Sequence, residues 1–185
     1  MPEHESASAV HSGLLRDTPA GTIAVWVTRN GVRRIGGVTS QMIEEGHWDP
    51  EGHPTLSAAL HQLGEYFGWK RRHFDLPLDF SGATKFQRRI YERLMGIPYG
   101  RIVSYGDIAD EMGEPGAARA VGQAVGANPL PIIVPCHRVV RSDGKLGGYS
   151  GGLRHKVALL RIEGVAVDGH QSGSRVHPEL LRLPL

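Results

Sequence analysis

Residues 128–140 read NPLPIIVPCHRVV, an apolar run interrupted by proline at 129, 131 and 135. Proline donates no backbone hydrogen bond and clashes with a preceding helical turn, so these three forbid a helix and argue against a central strand. The segment is therefore stiff but irregular. It ends on the one cysteine of the chain, Cys136, followed by His137 and Arg138. A single cysteine in 185 residues excludes an intramolecular disulfide framework and a multi-cysteine zinc cage. Lone cysteines often serve as apolar filler, but this context favours chemistry. The prolines reduce the entropy of holding one pose, His137 can accept a proton near neutral pH, and Arg138 can favour nearby negative charge. A thiol attacks only as thiolate, which such neighbours promote. Downstream, Gly147-Gly148-Tyr149-Ser150-Gly151-Gly152 is a glycine-rich loop whose backbone can approach a planar ligand closely.

Around this centre the chain reads as two units. The first 20 residues are small, polar and without period, and are expected to form a loose arm. In GTIAVWVTRNGVRRIGGV, Ile23, Val25 and Val27 alternate up to Asn30-Gly31, the signature of a β-hairpin turn with positive φ angles. Residues 41–53 read as an irregular connection. Leu56, Ala59, Leu60, Leu63 and Phe67 fall at helical spacing, and HFDLPLDF alternates as a strand that Pro77 confines to an edge. Lys70-Arg71-Arg72 reads as a solvated helix end. After Ser81-Gly82 the pattern turns helical: Thr84 to Met95, then a helix whose capping box is Ser104-x-x-Asp107, then Ala117 to Ala127 after a Gly/Pro turn. Two short helices so joined outline a helix-turn-helix. Leu153 to Ile162 forms a last helix with Val157, Leu160 and Leu159 inward, and the final twenty residues read as a loose tail.

Charge separates the same two units. Through Phe80 there are 7 Lys and Arg against 10 acids, a net of −3; from Ser81 onward 14 stand against 9, a net of +5. A basic C-terminal part hints at a polyanionic partner. The third helix supports this, because Ala118, Gly122 and Gly126 share one face at i, i+4 and i+8. Interior glycine costs up to about 1 kcal/mol each relative to alanine, so a face of this kind serves close approach by a large surface, either a nucleic-acid groove or another helix.

The cysteine segment resembles the active-site signature of the O6-alkylguanine-DNA alkyltransferases, the methylated-DNA–protein-cysteine methyltransferases. Pro135-Cys136-His137-Arg138-Val139 carries the likeness, with Ser104-Tyr105, Ala117-Ala118-Arg119-Ala120-Val121-Gly122, Asn128-Pro129, Gly148-Tyr149-Ser150-Gly151-Gly152 and Glu163-Gly164 in family order. It spans Ser81–Val165 strongly and the first 80 residues weakly. The resemblance implies an α+β protein: a ribonuclease-H-like α/β domain at 21–81 and a helical winged-helix, helix-turn-helix DNA-binding domain at 82–166, between an arm (1–20) and a tail (167–185). It implies that alkylated guanine, and O4-alkylthymine as a second candidate, is flipped out of the duplex and that its alkyl group passes irreversibly to Cys136. His137 would be base through a water, Glu163 its orienter, and Tyr105 a hydrogen-bond donor to the base and a phosphate contact. Arg119 would fill the gap left by the base, with Ala118 and Gly122 in the minor groove. Asn128, Pro131, Val139, Tyr149, Ser150 and Gly151 would form the pocket.

No metal or organic cofactor is expected, since no metal-ligand spacing such as His-Glu-x-x-His occurs. The resemblance implies double-stranded DNA as the partner and a monomeric protein, with cooperative loading along DNA left open. No run of ~18 apolar residues offers a spanning helix, and the acidic N-terminal stretch lacks the basic start and apolar core of a secretory signal. A cytoplasmic location is expected, nucleoid-associated if the source is bacterial. Two rival readings are an alkyltransferase-like protein that binds lesions without repairing them, against which Cys136 argues, and a cysteine hydrolase or thiol sensor.

Overall fold

The computed structural model describes residues 10–171 and 173–177. The chain divides into two compact units at Ser81/Gly82. In the first, strands β1 (His11–Thr18), β2 (Gly21–Thr28) and β3 (Gly31–Gly37) form an antiparallel sheet in sequence order. Ile23, Val25, Val27, Val32 and Ile35 are buried in it. Helix α2 (Pro54–Phe67) packs on the sheet through Leu56, Ala59, Leu63, Tyr66 and Phe67. Its start is set by Pro54 in the first turn and by His53, whose Nδ1 accepts from Thr55 N at 3.2 Å.

Four readings are corrected in this unit. The stretch read as a loose arm contains β1; as an edge strand it buries only Gly13, so backbone pairing holds it and no apolar alternation announces it. Residues 1–9 lie outside the described part. The hairpin loop is Arg29-Asn30, with Thr28 opposite Gly31. Only Gly31 of the Asn-Gly pair has positive φ, at +132°, and a Cβ there would sit 2.2 Å from the Pro77 carbonyl oxygen. The connection at 41–53 begins with a short helix, α1 (Ser40–Glu45), which Thr39 caps and which buries nothing. HFDLPLDF is no strand: Leu78 makes one parallel bridge to Val32, flanked by Val32 N to Pro77 O and Asp79 N to Val32 O, each 2.8 Å. Proline at 77 supplies an acceptor but no donor, so the ladder stops there.

The second unit is mostly helical. Helix α3 (Lys85–Met95) starts in a capping box between Thr84 and Gln87 and buries Ile90, Tyr91 and Leu94. Strand β4 (Val103–Ser104) leads into α4 (Tyr105–Glu111), where Ser104 and Asp107 form the expected capping box. After a turn with Gly113 and Gly116 at positive φ, α5 (Ala118–Gly126) packs on α4 and α3. The proline-broken run becomes a 3-10 turn, Cys136–Arg138, continuing into β5 (Val139–Val140). Strand β5 pairs in parallel with β4, Val103 opposite Val139. That pairing brings the start of α4 beside the cysteine turn.

Helix α6 (Leu153–Ile162) closes the unit over Ile102, Val140, Leu146 and Val165. The tail reading is corrected in part. Val167 and Val176 pair with each other and join this core, and Lys145 pairs with Arg175. Residues 178–185 lie outside the described part. No helix among the described residues is long and apolar enough to cross a membrane.

Candidate active site

Asn128 shapes the approach to the cysteine. Its Nδ2 donates to Val134 O at 2.8 Å and its Oδ1 accepts from Leu130 N at 3.0 Å, both buried. These bonds fold the proline-rich run back on itself around Ile132, a β-branched residue at φ +78°. That conformation costs on the order of 1–3 kcal/mol and persists only where surrounding structure imposes it.

Beyond the turn, His137 and Arg138 both reach Glu163. His137 Nε2 lies 2.8 Å from Glu163 Oε1. Arg138 grips the carboxylate twice, Nε to Oε2 and Nη2 to Oε1, each at 2.9 Å, and Gly100 N donates to Oε2 at 3.1 Å. Burial would raise the Glu163 pKa, but the bonds from His137 and Arg138 outweigh it and hold the carboxyl well below the usual range. A carboxylate only accepts, so Nε2 carries the imidazole proton and Nδ1 keeps its lone pair. Nδ1 is buried with no hydrogen-bond partner among the described residues. Burial depresses the His137 pKa although Glu163 opposes it, so the ring rests neutral and can accept a proton.

Arg138 therefore does not attract charge at the sulfur, as its place in the sequence suggested. Its guanidinium is committed to Glu163 and the Ile97 carbonyl, and lies 5.9 Å from the Tyr99 ring centroid. The cation acting on the sulfur is Lys156, which sequence reasoning missed. It is fully buried on α6, and its Nζ donates to the Val139 carbonyl at 2.6 Å and to that of Leu146. The signal was available: Lys156 stands on the inward stripe of α6, beside Val157 and one turn before Leu160. Burial lowers its pKa to about 8, against the opposing pull of Cys136. At Cys136, burial pushes the thiol up, while Asn128, Lys156 and Tyr149 pull it back down. The net is upward, so the resting thiol is protonated and needs a base.

Cys136 opens onto a cavity of ≈ 810 Å³. Tyr105, Ala118, Arg119, Gly122, Gly126, Tyr149 and Ser150, all singled out in the sequence, line it, together with Gln123 and Arg141, which were not expected there. His137, Glu163, Asn128, Pro131, Val139 and Gly151 do not. Pro131 is bridged to Val134, the Val139 carbonyl is engaged by Lys156, and Gly151 leaves room for the Tyr149 ring, which a Cβ would meet at 3.1 Å. Burial, then negative charge at Cys136, raises the Tyr105 pKa, so its hydroxyl stays a donor. Gly147, at φ +68°, lets that hydroxyl approach: a Cβ would lie 3.2 Å from it.

Helix α5 buries Val121, Ala124 and Val125, and turns Ala118, Gly122 and Gly126 to the cavity. A Cβ on Gly126 would meet nothing within 4 Å, and one on Gly122 only the Tyr105 ring at 3.8 Å. Close packing within the protein therefore does not require either glycine. The face is left for something outside. No group of three or more His, Cys, Asp or Glu able to hold a metal occurs among the described residues.

The family model described as "6-O-methylguanine DNA methyltransferase, DNA binding domain" matches residues 85–165. A Mycobacterium tuberculosis protein named methylated-DNA–protein-cysteine methyltransferase is 53% identical over 117 residues, 63% of this chain and 70% of that protein. One of the same name from Salmonella typhimurium is 44% identical over 123 residues, 64% and 72% of the two chains. The crystal structure of M. tuberculosis O6-methylguanine methyltransferase superposes with a TM-score of 0.71 at 41% identity, covering 84% of this chain and 93% of that one. M. tuberculosis OGT in complex with DNA gives 0.70 at 42%, covering 83% and 92%. Sequence likeness extending over both units, with a lone cysteine at a cavity in the matched region, leads to one assignment: the chain belongs to the methylated-DNA–protein-cysteine methyltransferase family.

Proposed function

We propose that this protein repairs O6-alkylguanine in duplex DNA by taking the alkyl group onto Cys136, once per molecule. The observation that carries this reading is the buried relay behind the cavity: Glu163 fixes the protonated nitrogen of His137, leaving a neutral ring with an unpartnered Nδ1 next in sequence to a buried thiol. A water between Nδ1 and the sulfur passes the thiol proton to His137. The thiolate attacks the alkyl carbon, forming an S–C bond as the C–O6 bond breaks and its electron pair returns to the purine. Tyr105 donates a hydrogen bond to the ring as charge develops, Tyr149 walls the base, and the Ser150 segment donates toward O6. A thioether has no good leaving group on the protein side, so Cys136 is not regenerated. Transfer without metal or organic cofactor is consistent with this chemistry.

The Ala118–Gly122–Gly126 face of α5 enters the minor groove, where small side chains permit close approach. Arg119, exposed at the cavity rim, occupies the space of the flipped base. O4-alkylthymine presents a comparable alkyl ether and is the second substrate candidate. The protein acts as a monomer in the cytoplasm on nucleoid DNA, and the second unit does the chemistry.

Intact and peptide mass after mixing with a duplex carrying one O6-methylguanine tests the reading. The expected result is one methyl on the Cys136 peptide, saturating at one per molecule and absent in Cys136→Ser. Lesion-selective binding with no mass gain would make this a recognition protein. Multiple turnover of a thiol ester substrate, with neither binding nor methyl gain, would make it a hydrolase.

A further inference from the structure

Helix α2 ends in a Schellman closure: Lys70 N donates to Glu65 O at 2.8 Å and Trp69 N to Tyr66 O at 3.1 Å. In this motif the residue after the C-cap adopts the left-handed conformation and is usually glycine. Here glycine stands one position early. Gly68 has an ordinary φ of −86°, and Trp69 takes the left-handed place at +57°. A bulky side chain is strained there. Nor does the interior gain from it, because Trp69 is 67% exposed, more than any other large hydrophobic residue described. The other two tryptophans, Trp26 and Trp48, are partly buried, with rings 6.2 Å apart. A residue both strained and solvent-facing is not explained by the folding of this unit.

Its neighbours indicate what it serves. Arg71 turns back, with Nε 2.7 Å from Glu65 Oε2 and Nη1 donating to the His73 carbonyl. That fixes the backbone of the segment, while Lys70 and Arg72 are exposed. The triplet thus follows an exposed indole directly in sequence, with exposed cations one and three residues after it. An aromatic face with adjacent cations binds single-stranded nucleic acid, the unstacked base on the ring and the phosphates on the cations. The geometry points to Trp69, Lys70 and Arg72 as a second nucleic-acid contact, which takes an unpaired base of a single strand. It lies in the first unit and does not depend on the alkyl-transfer reading.

The test uses the full chain and a short oligothymidylate, which offers no alkylated base. Titration should quench the exposed tryptophan emission of the wild type. Trp69→Gly should weaken oligothymidylate binding about tenfold, Trp69→Phe less, and Lys70→Ala with Arg72→Ala should flatten the salt dependence. Glycine also relieves the cap, so Trp69→Gly should melt a few degrees higher and methylate Cys136 on a short lesion-bearing duplex at the wild-type rate. Oligothymidylate binding by Trp69→Gly equal to the wild type would overturn the proposal. So would a lowered melting temperature, which would make the indole part of the fold, or lost self-association in sedimentation with unchanged oligothymidylate binding, which would make it a protein contact.

Discussion

Burial and nucleophilicity make opposite demands on Cys136. Desolvation raises its pKa, and Asn128, Lys156, Tyr149 and the local backbone offset part of that rise. Lys156 supplies the positive charge with no carboxylate partner among the described residues, holding two backbone carbonyls instead. Lys156→Met keeps the length but removes the charge and both donors, which is expected to cost about 1–3 kcal/mol of stability for the carbonyls left unpaired. It should also shift the pH profile of Cys136 alkylation by iodoacetamide upward and slow methyl transfer about tenfold or more at neutral pH. An unshifted profile would remove Lys156 from the account. The same residue has a stability signature. Its folded pKa of about 8 lies below the ordinary lysine value of about 10.4, so between the two the unfolded chain binds more protons and stability rises with pH. The wild type should therefore gain on Lys156→Met across that window, as read from denaturant melts at several pH values.

In the proposed function, helix α5 and the cysteine turn divide recognition from chemistry between two elements. The turn is fixed by Asn128 and by the parallel pairing of β5 with β4, whereas α5 offers a face that the fold itself does not use. Losses at α5 should accordingly depend on the substrate. Arg119→Ala is expected to slow repair of a duplex far more than reaction with the free modified base. Gly126→Leu should do the same while leaving the melting temperature unchanged or raised, since its Cβ meets nothing and glycine is the poorer helix former by about 1 kcal/mol. Single-turnover rates on both substrates distinguish this from general damage: equal losses on both would refute the assignment of α5. The helices themselves were legible in the sequence, because apolar periodicity and the Ser104–Asp107 capping box are local signals. The strand β1 and the helix α1 were not, since neither buries an apolar stripe and both depend on partners or caps outside any period.

Across the whole molecule, distant segments are joined by groups with no local signature. Asp79 accepts from Thr28 Oγ1 at 2.7 Å, Arg33 Nη1 at 3.2 Å and Ser81 N at 2.9 Å, tying the last residues of the first unit to its hairpin. Burial works to raise its pKa, but these bonds, those of Ser81 foremost, lower it to about 2. Its stabilising contribution is therefore complete above the ordinary aspartate value near 4 and is lost as pH falls toward 2. Asp79→Asn should destabilise by about 1–3 kcal/mol at neutral pH, and urea melts should show the gap to wild type closing across that acid window. A gap constant down to about pH 2 would contradict the linkage. By itself the sequence determined the family, the order of helices in the second unit and the small-residue face of α5, because motif spacing and helical period lie within a few residues of chain. Only the tertiary structure decided that Arg138 serves Glu163 and not the sulfur, that Lys156 is the buried cation acting on the sulfur, that Val167 and Val176 complete a core, and that Trp69 occupies a glycine's place. Each of these depends on which groups burial brings together and leaves to satisfy one another, and no spacing along the chain encodes that.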